Sequence, residues 1–167
     1  MNPQESSGFW KGRRNLSKSS FFGLLAPLIL LRCATTGRFY PVQGPLSTQT
    51  PTPVLIAKVT GVLSSGTFSV TFRDGEQCTG HWSLVPRSNA SAQTSEMSSV
   101  WDTVYGSGFY LSNVLGSKNY ASAILTGARG TVINLEMYKP DRQERKNVPI
   151  RGVAKDNKGN IFKLVVG

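Results

Sequence analysis

Residues 67–82 read TFSVTFRDGEQCTGHW, and the way this stretch folds back on itself decides the architecture. Phe68, Val70 and Phe72 alternate with polar residues, the period of a half-buried strand. Asp74-Gly75 is a turn signal. A two-residue loop would pair Phe72 with Gln77 and Phe68 with His81, mixing apolar and polar side chains on one face. A three-residue loop, Arg73-Asp74-Gly75, pairs Phe72 with Glu76, Val70 with Cys78 and Phe68 with Gly80. Gly75 then takes the left-handed conformation that this loop requires. In that register Phe68, Val70, Phe72, Cys78, Trp82 and Leu84 share one face, so it is the register expected.

The C-terminus repeats the device around Asn157-Lys158-Gly159. The same loop length pairs Ala154 with Phe162 and Gly152 with Leu164, with Gly159 as the turn glycine. Ile150, Ala154, Phe162, Leu164 and Val166 then face inward together. Further strand candidates are VLIAKVTGVL (54–63), FYLSNVL (109–115), NYASAIL (119–125) and TVINLEMY (131–138). In the last, Ile133, Leu135 and Met137 form one face. Met97, Val100, Trp101, Val104 and Tyr105 recur instead at helical spacing, with Thr94 or Ser95 as N-cap and Gly106 as the stop. The expected fold is mainly β: an antiparallel meander of about seven or eight strands forming a small barrel or sandwich, with one short helix near 95–105.

Ahead of these strands the composition changes. Residues 41–53, PVQGPLSTQTPTP, read as an extended linker. Residues 11–18 are basic, and residues 21–31, FFGLLAPLILL, are apolar without charge. As a helix those residues would span about 16 Å, roughly half a bilayer core, too little for a comfortable crossing. A basic segment before a short apolar one is how an export leader is built. The expected organisation is a leader over 1–32, an anchored Cys33 with a flexible linker over 33–53, and one β-rich domain over 54–167.

The 167 residues carry 19 Lys and Arg against nine Asp and Glu, a net charge of +10. Residues 1–33 hold about +4 of that excess, and the remaining +6 is scattered. No helix or stripe collects it, which argues against nucleic acid as a partner. The charged fraction is 17%, below the roughly 25% usual for soluble domains. YKPDRQERKN (138–147) is a mixed-charge run that reads as a solvated loop, or as a docking point for an anionic glycan or lipid.

The junction LILLRCATTG (28–37) resembles that of a bacterial lipoprotein precursor, through Leu30 three positions before Cys33 and the small residues after it. Arg32 departs from the family pattern, which has Gly, Ala or Ser there. The resemblance implies a diacylglyceryl thioether on Cys33, cleavage before it and acylation of the new amino terminus. Ala34 after the cysteine implies an outer-membrane, periplasm-facing address. Stable anchoring by acyl chains takes two or more of them. GRRNLSK (12–18) faintly resembles a twin-arginine export signal. GRFYPVQGPL (37–46) and GVAKDNKGN (152–160) resemble, more loosely, segments of small bacterial lipoproteins. The implied partners are the membrane, through the lipid, and an envelope protein or an anionic glycan or lipid.

For chemistry the sequence offers little. Cys78 and His81 would face opposite sides of a strand, which separates thiol from imidazole and makes Cys78 a structural thiol. A Cys33–Cys78 disulfide would require an unmodified Cys33. One histidine and Cys78 cannot complete a metal site, and no cofactor motif or G-x-S-x-G is present. No catalytic residue is assigned. Of the carboxylates, Asp74 and Asp156 read as turn residues, and Glu136, on the polar face of a strand, is the one to inspect beside any cleft. Three functional classes remain open: a non-catalytic, lipid-anchored envelope module, a glycan-type envelope hydrolase using paired carboxylates, and a cytosolic domain with 21–31 as a core helix.

Overall fold

The Arg73-Asp74-Gly75 loop closes in the three-residue register. In the computed structural model, the Phe72 amide donates to the Glu76 carbonyl (2.8 Å), and Gly75 has φ +81°. The structure describes residues 34–62, 64–86, 96–140 and 148–167. Eight strands run in chain order: β1 (Ala34–Gln43), β2 (Leu55–Val62), β3 (Ser65–Thr71), β4 (Gln77–Leu84), β5 (Tyr120–Gly127), β6 (Val132–Tyr138), β7 (Ile150–Asp156) and β8 (Ile161–Val166). Each pairs antiparallel with the next, and β8 pairs with β1, so the meander closes into a barrel. Closure leaves no strand edge in the ring.

Both diagnostic registers are present. Val70 lies opposite Cys78 and Phe68 opposite Gly80, while Ala154 lies opposite Phe162 and Gly152 opposite Leu164. Phe68, Val70, Cys78, Leu125, Ile133, Leu135, Met137, Ala154, Phe162, Leu164 and Val166 fill the interior. Trp82 is half-buried at one rim, its indole N–H donating to the Thr60 carbonyl (3.0 Å). Leu84, expected on the inner face, is exposed, because it ends β4 at that same rim.

Two expectations, one boundary and one element, are corrected. The supposed linker begins with a barrel strand: β1 starts at Ala34, and its Gly37, Phe39 and Pro41 point inward. β1 sits between β2 and β8, with Phe39 opposite Leu55 on one side and Leu164 on the other. Its inward positions hold a glycine and a proline, so alternation could not reveal it. Pro41 lacks an N–H and is tolerated where the β1–β8 register shifts between Pro41 and Gln43. The residues after β1 are tied to the barrel as well. The Leu46 amide donates to Asn160 Oδ1 (2.8 Å), and Leu46 packs against the core. Gly44 takes φ +96°, and a Cβ there would collide with the Gly159 carbonyl oxygen. The folded domain therefore begins at or before residue 34, not at 54.

The second correction concerns 109–115, expected as a strand. Residues Tyr110–Val114 form a π-helical turn, closed by the Leu115 amide donating to the Tyr110 carbonyl (2.9 Å). The Asp102 carboxylate nucleates it, accepting from the Gly108 and Tyr110 amides at 3.1 Å each. Tyr110 and Val114 face inward and Leu111 is exposed. The helix expected near 95–105 is α1 (Ser98–Tyr105), which ends at Gly106 as the sequence indicated. Its first turn follows Met97, which makes no side-chain cap bond. The expected caps Thr94 and Ser95 lie outside the described residues, as does Cys33.

Helix and π-turn lie on the outer face of the barrel, where Trp101, Val100, Tyr110 and Val114 bury Val153 and Ile161 in a second cluster. Trp101, Tyr105 and Phe109 stack on one another, with centroids 4.7–5.9 Å apart. The Tyr105 hydroxyl donates to the Gly152 carbonyl (3.3 Å), fixing the helix end to β7.

Phe39 has no exposed surface and meets Phe68 and Phe162 edge-on, with centroids at 5.8 and 5.6 Å. Phe39→Ala is expected to destabilise the chain by roughly 3–5 kcal/mol in denaturant unfolding. A loss within about 0.5 kcal/mol, as at an unpacked surface site, would mean that β1 is not part of the core.

Candidate functional site

A groove lies outside the barrel, over β4–β7, bounded beside the sheet by Glu96 and Met97, which lead into α1, and by Tyr110 of the π-turn. This groove has a volume of about 940 Å³. Its floor follows from the strand registers, because outward residues of neighbouring strands stand in rows. Ser83 pairs with Ser122 and Ser122 with Glu136, giving hydroxyl, hydroxyl and carboxylate side by side. Ile124 pairs with Asn134 and Asn134 with Lys155, and the β4–β5 register puts His81 across from Ile124. Such directly opposed positions lie about 5 Å apart. Met97, Val85, Tyr110 and Tyr120 complete the lining on the helix side, and Val132, Asp156 and Asn157 at the far side.

Glu136 is where the groove meets the helix. It is 6% exposed, and its Oε2 accepts the Trp101 indole N–H at 2.6 Å. On an open sheet face this residue would be solvated. The helix covers it and supplies a charge-assisted bond in return. Three carboxylates line the groove: Glu96, Glu136 and Asp156. Asp156 is committed to its turn. Its Oδ1 accepts from the Lys158 and Asn160 amides (2.9 and 2.8 Å), and its Oδ2 accepts from the Asn160 side chain (2.7 Å).

A second polar cluster closes the barrel end made by the short hairpin turns. Glu76 is buried there. Its Oε2 accepts from the Thr131 hydroxyl (2.6 Å), and its Oε1 from the Arg129 amide (2.9 Å). Lys158 Nζ and Arg129 Nε stand 3.6 and 3.7 Å from Oε2. The Thr131 hydroxyl, then the Arg129 amide, then the Lys158 charge hold this carboxyl at about 2 against the opposing effect of burial. Asp74 joins through Arg129 Nη2 (2.6 Å). The cluster ties the β3–β4, β5–β6 and β7–β8 turns together, a structural task. The expected register already contained it, because Glu76 stands two residues before the inward Cys78.

Cys78 is a free thiol inside the barrel with no exposed surface; burial, then the Glu76 charge, push it up to about 11. His81 is exposed on the outer face, in the groove, so the two are on opposite sides of β4. Gly159 has φ +86°, as its turn position demands. Among the described residues no group of three His, Cys, Asp or Glu could hold a metal ion, and no buried side-chain nitrogen or oxygen lacks a partner. Compared with protein-family models, curated proteins and solved structures, the chain matches none.

The Glu76 carboxyl is held below its ordinary value of 4.5, so its contribution to stability is complete above pH 4.5. It is lost as the pH falls from there toward about 2. In thermal unfolding at stepped pH, the wild-type melting temperature should fall across this window. Glu76→Gln should start lower at neutral pH and show a shallower acid slope. Parallel curves for the two proteins would contradict the assignment.

Proposed function

We propose that the chain is a non-catalytic binding module of the bacterial envelope, anchored by acyl chains on Cys33. The observation that carries this reading is the position of β1. Every strand of the barrel lies at or beyond Ala34, so cleavage before Cys33 would remove a leader and leave the described fold complete. The lipoprotein-like junction lies immediately before the first described strand. The anchored form would have no spacer. Consecutive Cα atoms are about 3.8 Å apart, so the lipid would hold the barrel rim carrying the start of β1 and the end of β8 against the bilayer.

The barrel itself suits a peripheral domain. A transmembrane barrel turns an apolar band outward and keeps a polar lumen. Here the lumen is packed with apolar side chains, while exposed Arg38, Lys58, Lys155 and Lys163 stand on the outside. Among the described residues no helix is long and apolar enough to cross a membrane.

The non-catalytic part rests on the carboxylates. Glu76 and Asp156 are consumed by turn contacts, Asp102 by the π-turn, and Glu136 accepts the Trp101 indole. A glycosidase needs two carboxyl groups set about 5–10 Å apart across a bond. The two strand carboxylates of the groove, Glu136 and Asp156, both already accept hydrogen bonds and stand beside neutral hydroxyl and amide groups, an arrangement for holding a ligand.

Growth of a bacterial host on labelled palmitate tests the anchor. Wild-type chain should incorporate label and sediment with membranes. Cys33→Ala should do neither, while still folding. Unlabelled, soluble wild-type chain with Met1 still attached would overturn the reading.

A further inference from the structure

The geometry points to the outer groove as a site for a short, uncharged oligosaccharide. This deepens the binding-module reading by naming what the module holds. Three observations select that chemistry. First, the ring of strands is closed, so a peptide cannot add to the sheet by backbone pairing. Recognition must come from side chains on the outer face.

Second, those side chains are mostly neutral groups that donate and accept. Ser83, Ser122 and Asn134 stand in adjacent rows with His81 beside them, on the three neighbouring strands β4, β5 and β6. Two hydroxyls opposed at about 5 Å, with a carboxamide and an imidazole in the next row about 7 Å along, match a ligand with several hydroxyls on a rigid frame. Ile124, 61% exposed, and Val132, 36% exposed, offer apolar surface in the same groove to the C–H faces of such a ligand.

Third, the groove's charges are few and of both signs. Lys155 lies in it with Glu96, Glu136 and Asp156, and the last two carboxylates already accept hydrogen bonds within the fold. A polyanion would meet buried carboxylate, and a polycation would meet the lysine. A volume of about 940 Å³ is at the upper end of ligand clefts, room for more than one sugar ring.

The test uses the ¹⁵N-labelled full chain titrated with three soluble probes: a glucose trimer, an N-acetylglucosamine trimer and a galacturonate trimer. One of the neutral trimers should shift the amides of Ser83, Ser122 and Asn134, with half-saturation at about 1 mM, as befits an open groove. Asn134 is exposed, so Asn134→Ala should keep the spectrum elsewhere and weaken binding about tenfold. Which neutral trimer binds tells a plain glucan from an amino-sugar polymer as the source. No shifts with either neutral trimer, binding of the galacturonate trimer alone, or indifference to Asn134→Ala would each overturn the site. None of those results bears on palmitate at Cys33. Cleavage of a bound trimer would sustain the saccharide site and overturn the non-catalytic reading.

Discussion

Phe39 stands edge-on between Phe68 and Phe162, and the barrel closes through it. Phe68 belongs to the β3–β4 hairpin and Phe162 to the β7–β8 hairpin, two units far apart in the chain. Each can form locally, but a single hairpin is marginal in water. They share a core only because β1 enters between β2 and β8 and places an aromatic ring against both. Without that strand, β2 and β8 would present open edges and the apolar interior would be wet. Edge-to-face aromatic contacts add roughly 0.5–1.5 kcal/mol each beyond burial, and two of them converge on this residue.

Much of the fold was legible because hairpin registers are over-determined. In 67–82 only one loop length puts Phe68, Val70 and Cys78 together, and a one-residue slip would turn all of them outward. The same reasoning held at Gly159. It failed where the residues that point inward are poor strand formers. Gly37 and Pro41 flank Phe39, so β1 looked like spacer. It failed again at 109–115, where apolar content suggested a strand but Asp102, several residues upstream, folds the segment into a π-turn by a side-chain contact. Pattern alone does not carry such a bond. Glu76 is a different case: the pairing with Phe72 implies its inward position, and the Thr131 hydroxyl, the Arg129 amide and Lys158 offset the cost of burying a carboxylate there.

The groove could be foreseen only in part. Glu136 reads from sequence as a strand-face carboxylate, and it stands beside the cleft. The wall of that cleft comes from the long excursion between β4 and β5, whose packing onto β6 and β7 is a tertiary fact. The helix does two things at once. It buries Val153 and shields Glu136, which stabilises that quadrant, and it turns a flat sheet face into a concave one. The barrel is thus the rigid support, the excursion shapes the site, and the proposed anchor lies at the rim where β1 begins.

Hydrogen exchange on the native chain tests closure most directly. If β1 is integral, the amides of Gly37–Tyr40 should be as strongly protected as those of β3 and β4, and should open only with global unfolding. Exchange of the β1 amides at open-chain rates, while the β3–β4 hairpin remains protected, would show that the barrel does not close through this strand.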